Sequence, residues 1–158
     1  MAERQKIVTF LWYDDKAEEA MNFYVDTFKN SRVIDVQRWP EGTPNAGQVL
    51  VCEFELDGQR FMAINGGPEF KFTEAISLYV HCDSQEEVDY YWDRLTADGG
   101  EESQCGWLKD KYGLSWQIIP DELQQHLSNP DPEKAARAMQ AMLQMQKIDV
   151  AKLREAVA

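Results

Sequence analysis

Residues 9–24 read TFLWYDDKAEEAMNFY, and residues 77–92 read SLYVHCDSQEEVDYYW. At a constant offset of 68 residues, Thr9 meets Ser77, Asp15 meets Asp83, and Glu18-Glu19 meets Glu86-Glu87. Ala20 then meets Val88, Phe23 meets Tyr91, and Tyr24 meets Trp92. Each copy passes from a strand-like run through an acidic or polar break into helical periodicity. The chain therefore reads as a duplicated strand–helix start.

Working outward, residues 17–28 place Ala17, Ala20, Met21, Tyr24 and Phe28 at helical spacing, with Glu18-Glu19 in the first turn where the macrodipole favours acids. The second helix has Asp83 or Ser84 as its cap and a stripe of Val88, Tyr91, Trp92 and Leu95, and Gly99-Gly100 ends it. Strand signals follow each helix. In the first copy they are 33–39, then 48–56 and 59–65 around Asp57-Gly58, a strong hairpin cue. In the second they are 101–105, 107–109 and 114–119. Each copy is thus βαβββ, joined by NGGPEFKF at 65–72. The tail is helical: Asp131-Pro132 opens one helix with the stripe Ala135, Met139, Met142 and Leu143, and Asp149 caps a last one, VAKLREAV. That Met-rich stripe suits packing, with a slight preference for a second subunit. The predicted divisions are a first module at 1–66, a second at 67–120 and a helical tail at 121–158, within one structural domain.

The totals narrow the classes of function. A formal charge of −12, from 28 acids against 16 bases, repels phosphate backbones and anionic lipid. The Lys and Arg residues are scattered, so neither nucleic acid nor membrane is an expected partner. No apolar run approaches a membrane span, and MAERQKIVTF has no signal-like core. Cys52, Cys82 and Cys105 are far apart and form no CxxC pair, which fits a reduced, cytoplasmic protein.

Two βαβββ modules in tandem, with FLWYDDKAEEAMNFYVDTFKNS, FMAINGGPEF and CGWLKDKYGLSWQIIP, resemble the vicinal oxygen chelate superfamily of glyoxalase I, extradiol dioxygenases, fosfomycin-resistance enzymes and bleomycin-binding proteins. Within it they resemble the PhnB-like branch, many of whose members carry the label 3-demethylubiquinone-9 3-methyltransferase. The resemblance implies an α+β fold in which the modules form a curled, antiparallel-rich mixed sheet with a cleft, plus C-terminal helices. It also implies metal positions on the first and last strand of each module. These fall on Thr9, Ser77, Gln117 and a place within 62–65. None is a carboxylate or imidazole, so no metal or other cofactor is expected. The methyltransferase label finds no support in the residues, because no glycine cluster makes a GxGxG-type turn.

Strand alternation puts Thr9, Leu11 and Tyr13 on one face, Ser77, Tyr79 and His81 on one face, and Ser115 with Gln117 on one face. The resemblance makes these the cleft side. The expectation is a protein that binds a small organic molecule through Thr9, Tyr13, Asn65, Ser77, Tyr79, Trp107, Ser115 and Gln117, with Trp39 also at the rim. The alternatives are a metal-dependent lyase-like or dioxygenase-like enzyme of the superfamily, or the methyltransferase of the label. If chemistry occurs, His81 and then Tyr79 are the acid–base candidates. A homodimer is expected.

Overall fold

The computed structural model describes residues 4–158, which form two compact units that divide between Lys71 and Phe72. The 65–72 link therefore falls almost wholly with the first unit, and the C-terminal helices belong to the second.

The first unit runs β1 (Thr9–Tyr13), α1 (Ala17–Thr27), β2 (Arg32–Arg38), β3 (Val49–Leu56) and β4 (Gln59–Asn65). Its sheet order is β1-β4-β3-β2, parallel between β1 and β4 and antiparallel elsewhere. The hairpin turns at Asp57-Gly58, where both residues have positive φ, as the Asp-Gly pair predicts. Helix α1 buries Ala17, Ala20, Met21 and Tyr24, and the sheet answers with Leu11, Tyr13, Cys52, Phe54, Phe61 and Ala63. The Phe54 and Phe61 rings stack at 5.6 Å, and the Tyr24 ring lies 6.3 Å from Phe54.

This packing reverses the expected facing of β1. Leu11 and Tyr13 turn toward the helix, where the Tyr13 and Tyr24 hydroxyls meet at 3.1 Å, and Phe10, half exposed, turns away with Trp12. The reason is a difference of one residue between the copies. Three residues (14–16) separate β1 from α1, but only two (83–84) separate the corresponding strand and helix of the second unit. The offset of 68 holds for the helices, whereas the strands superpose one residue further on. Because side chains alternate along a strand, that slip exchanges its two faces.

The second unit runs β5 (Ser77–Cys82), α2 (Gln85–Thr96), β6 (Glu101–Glu102), β7 (Trp107–Lys109) and β8 (Ser115–Pro120). The order β5-β8-β7-β6 repeats the first sheet. Ser84 caps α2, accepting from Glu87 N at 3.2 Å, and Val88, Tyr91, Trp92 and Leu95 are buried as predicted. Leu108, Trp116 and Ile118 form the buried stripe of this sheet. The turn between β7 and β8 is organised by buried Asp110. Its carboxylate accepts the amides of Tyr112 and Leu114 at 2.9 and 3.1 Å and the Trp116 indole at 2.9 Å.

Three helices follow: α3 (Asp121–Leu127), α4 (Pro132–Leu143) and α5 (Val150–Val157). They pack on their own unit. Ile119, Leu123, Met145, Ile148 and Leu153 make one core, with Leu127, Ala141 and Met142 against it. Cys105 N and Gly106 N donate to Met145 O and Gln146 O, both at 2.8 Å, and the Gln85 side chain bridges Ile148 O and Val150 N. Gly106 is required there, since φ is +86° and a Cβ would lie 2.6 Å from Ile119 Cδ1. Of the predicted stripe, Met142 faces inward, whereas Met139 and Leu143 are 42% and 53% exposed.

Candidate functional site

The face of the second sheet that turns away from α2 gathers most of the predicted polar residues. Register places Ser77 beside Ser115, and Ser115 beside Lys109. One step on, Tyr79 lies beside Gln117 and Gln117 beside Trp107, so an amide stands between two aromatic rings across three strands. Gln117 Nε2 donates to Ser77 Oγ at 2.9 Å, which orients the amide. Ser115 is only 1% exposed, and its Oγ has no hydrogen-bond partner among the described residues. Buried hydroxyls are ordinarily paired, so this one is exceptional.

Beyond this row, Tyr79 and His81 line a depression of about 560 Å³ with Asp121, Gln124, Gln125 and Ser128. His81 Nδ1 and Asp121 Oδ1 are 3.0 Å apart, and the Tyr79 and His81 rings are 4.8 Å apart. Partial burial, and then the nearby Asp121 charge, push the Tyr79 phenol above its ordinary range. Tyr79 is therefore a neutral hydroxyl near neutral pH. Asp121 and the glutamines come from α3, which the strand pattern missed. The signal was available in Pro120 followed by Asp121-Glu122, a proline and acids at a helix start.

Lys109 pairs with Glu74, and each shifts the other's titration toward the charged form. The two buried thiols are inert: burial, and then Glu18, push Cys52 up to about 11, and burial, and then neighbouring acids led by Glu87, push Cys82 up to about 12.

The remaining predicted residues lie in the first unit, on its helix side. Thr9 shares the Leu11 and Tyr13 face, and Tyr13 is buried against α1. Asn65 is occupied structurally, with Oδ1 accepting Ala17 N at 2.8 Å and Nδ2 donating to Val49 O at 3.3 Å. Asn65 also borders a depression of about 670 Å³ with Trp39, Arg38 and the acids at 14, 15, 18 and 19.

The residues do not fit a divalent transition metal. In the second unit the positions implied by the superfamily supply Ser77 and Gln117, already bonded to each other, and in the first Thr9 faces the helix. Hydroxyls and an amide carry no charge to offset dehydration of the ion. Among the described residues, no three His, Cys, Asp or Glu side chains group as metal ligands.

The repeated βαβββ plan, with a mixed four-stranded sheet in each unit, is that of the vicinal oxygen chelate superfamily. Within it, the chain belongs to the family described as 3-demethylubiquinone-9 3-methyltransferase, whose profile matches residues 5–119. The PhnB protein from Bacillus cereus, which bears the same description, is 41% identical. That similarity covers 73% of this chain and 99% of the B. cereus chain, with a TM-score of 0.68. Protein PA1353 from Pseudomonas aeruginosa is 16% identical over 74% of this chain and 98% of its own, with a TM-score of 0.62. The fosfomycin-resistance protein FosX from Listeria monocytogenes, solved with Mn(II) and sulfate, is 18% identical over 80% and 97%, with a TM-score of 0.54. These last two show the fold alone. No curated protein matches the chain. The family match stops at residue 119, ahead of α3–α5. No helix among the described residues is long and apolar enough to cross a membrane.

Proposed function

We propose that this protein binds a small organic molecule on the face of its second sheet that turns away from α2, without a catalytic metal. The observation that carries this reading is the Gln117–Ser77 bond of 2.9 Å. It joins two side chains at superfamily metal positions to each other and fixes an amide between Trp107 and Tyr79. Buried or half-buried amides and hydroxyls suit orientation of an uncharged ligand better than the grip of a cation. The neutral phenol and the His81–Asp121 pair border the same region and would contact a bound molecule there.

Methyl transfer from S-adenosylmethionine has no support in these residues. Each sheet has one parallel pair, not the doubly wound parallel sheet with a glycine-rich first turn. The reading includes a homodimer in the cytoplasm. Two measurements test its core. After incubation with excess Mn(II), Zn(II) or Ni(II) and desalting, the protein should retain well below one equivalent of metal. Calorimetry with S-adenosylmethionine should give no heat of binding. One tightly held equivalent of metal, or micromolar affinity for S-adenosylmethionine, would overturn it.

A further inference from the structure

Within the proposed binding face, and resting on that reading, we infer that the ligand is a planar, non-anionic aromatic molecule bearing an amide-like N–H donor. Trp107, Gln117 and Tyr79 stand in one row, each on its own strand. Strand spacing of ~4.8 Å sets the backbone positions of Trp107 and Tyr79 about 10 Å apart, with Gln117 on the strand between them. That separation admits one flat ring system between or across two aromatic side chains, where stacking geometry adds to area burial.

The hydrogen-bonding capacity left on this row is specific. Gln117 uses Nε2 on Ser77, and no hydrogen bond from a described residue reaches its Oε1. An acceptor held in place by its own neighbour selects a donor. Lys109, beside the row, is already paired with Glu74. An anionic ligand would find that cation engaged, and the chain's charge of −12 disfavours anions further.

Three probes separate the terms: 2-naphthamide, N,N-dimethyl-2-naphthamide and 2-naphthoate, titrated into labelled full-length protein and followed by NMR. A ligand of this size is expected to bind at about millimolar affinity. 2-Naphthamide should shift the Gln117 side-chain amide, the Trp107 indole and the Tyr79 ring saturably. The dimethyl amide, which lacks the donor, and the anion should each bind roughly tenfold more weakly, equivalent to about 1.4 kcal/mol. Tyr79→Ala, at an exposed position that should not disturb folding, and Gln117→Leu should each weaken 2-naphthamide about three- to tenfold. If the dimethyl amide or naphthoate binds as well as 2-naphthamide at the same resonances, the ligand class is wrong and the binding face stands. If Tyr79→Ala has no effect, the aromatic row is not the recognition element. If none of the probes moves these resonances at millimolar concentration, both the ligand class and the binding face fall.

Discussion

Asn65 Oδ1 accepts the backbone amide of Ala17 at 2.8 Å, so a residue at the end of β4 caps the first turn of α1 from 48 positions away. The local N-cap, Lys16, makes no side-chain bond to the helix. Nδ2 of the same amide donates to Val49 O on β3. Asn65→Ala should therefore lower stability by about 1–2 kcal/mol, the scale of a lost cap. Asn65→Asp, which keeps the acceptor, should recover part of it. Urea unfolding decides, and an unchanged midpoint for the alanine variant would remove the capping role.

The neighbouring glycine has a steric role. A Cβ on Gly66 would lie 2.3 Å from Trp12 Cζ2, and the Trp12 indole donates to Gly67 O at 2.9 Å. Gly66→Ala should displace the indole and cost about 1–3 kcal/mol, as overpacking does. Since both changes strike one contact, Trp12→Phe should cost less in the Gly66→Ala background than in the wild type. Additive costs in the double-mutant cycle would contradict this.

Acid should loosen the C-terminal helices through Glu122. Arg154 grips its carboxylate with two bonds of 2.7 Å, His126 adds a contact at 3.0 Å, and together they hold Glu122 down to about 2. A depressed carboxyl stabilises the fold fully above its unfolded value near 4.5, and the contribution disappears as pH falls toward 2. The pair is solvent-accessible, so Glu122→Gln should cost only about 0.5–1 kcal/mol at pH 7. The difference in Tm between the wild type and Glu122→Gln should shrink between pH 5 and pH 2. A difference that stays constant through that range would exclude the titration.

The tail's hold on the second unit rests on Ile148, which is fully buried against Ile119 and Leu153. Ile148→Ala should destabilise by about 2–4 kcal/mol through lost burial and the cavity left behind. Limited proteolysis should then cut preferentially after residue 128. If unfolding and proteolysis match the wild type, the helices contribute little to this unit.

The helical stripes of α1 and α2, the Asp57-Gly58 hairpin and the capped starts of α4 and α5 were legible because each depends on neighbours within a few residues. So was the duplication that implies two βαβββ units. The facing of β8 could be read as well, since Ser115 and Gln117 alternate with Trp116 and Ile118, which are buried beneath α2. The facing of β1 could not be read. Phe10, Leu11, Trp12 and Tyr13 are apolar on both sides, so alternation leaves two registers of similar hydrophobicity. Packing chose between them through the Tyr13–Tyr24 contact and the seat of Trp12 on Gly66. Long-range hydrogen bonds likewise made Asn65 a cap and brought Asp121 to His81. Local chemistry sets which elements form, whereas partners distant along the chain set which of their faces is covered and which is left open.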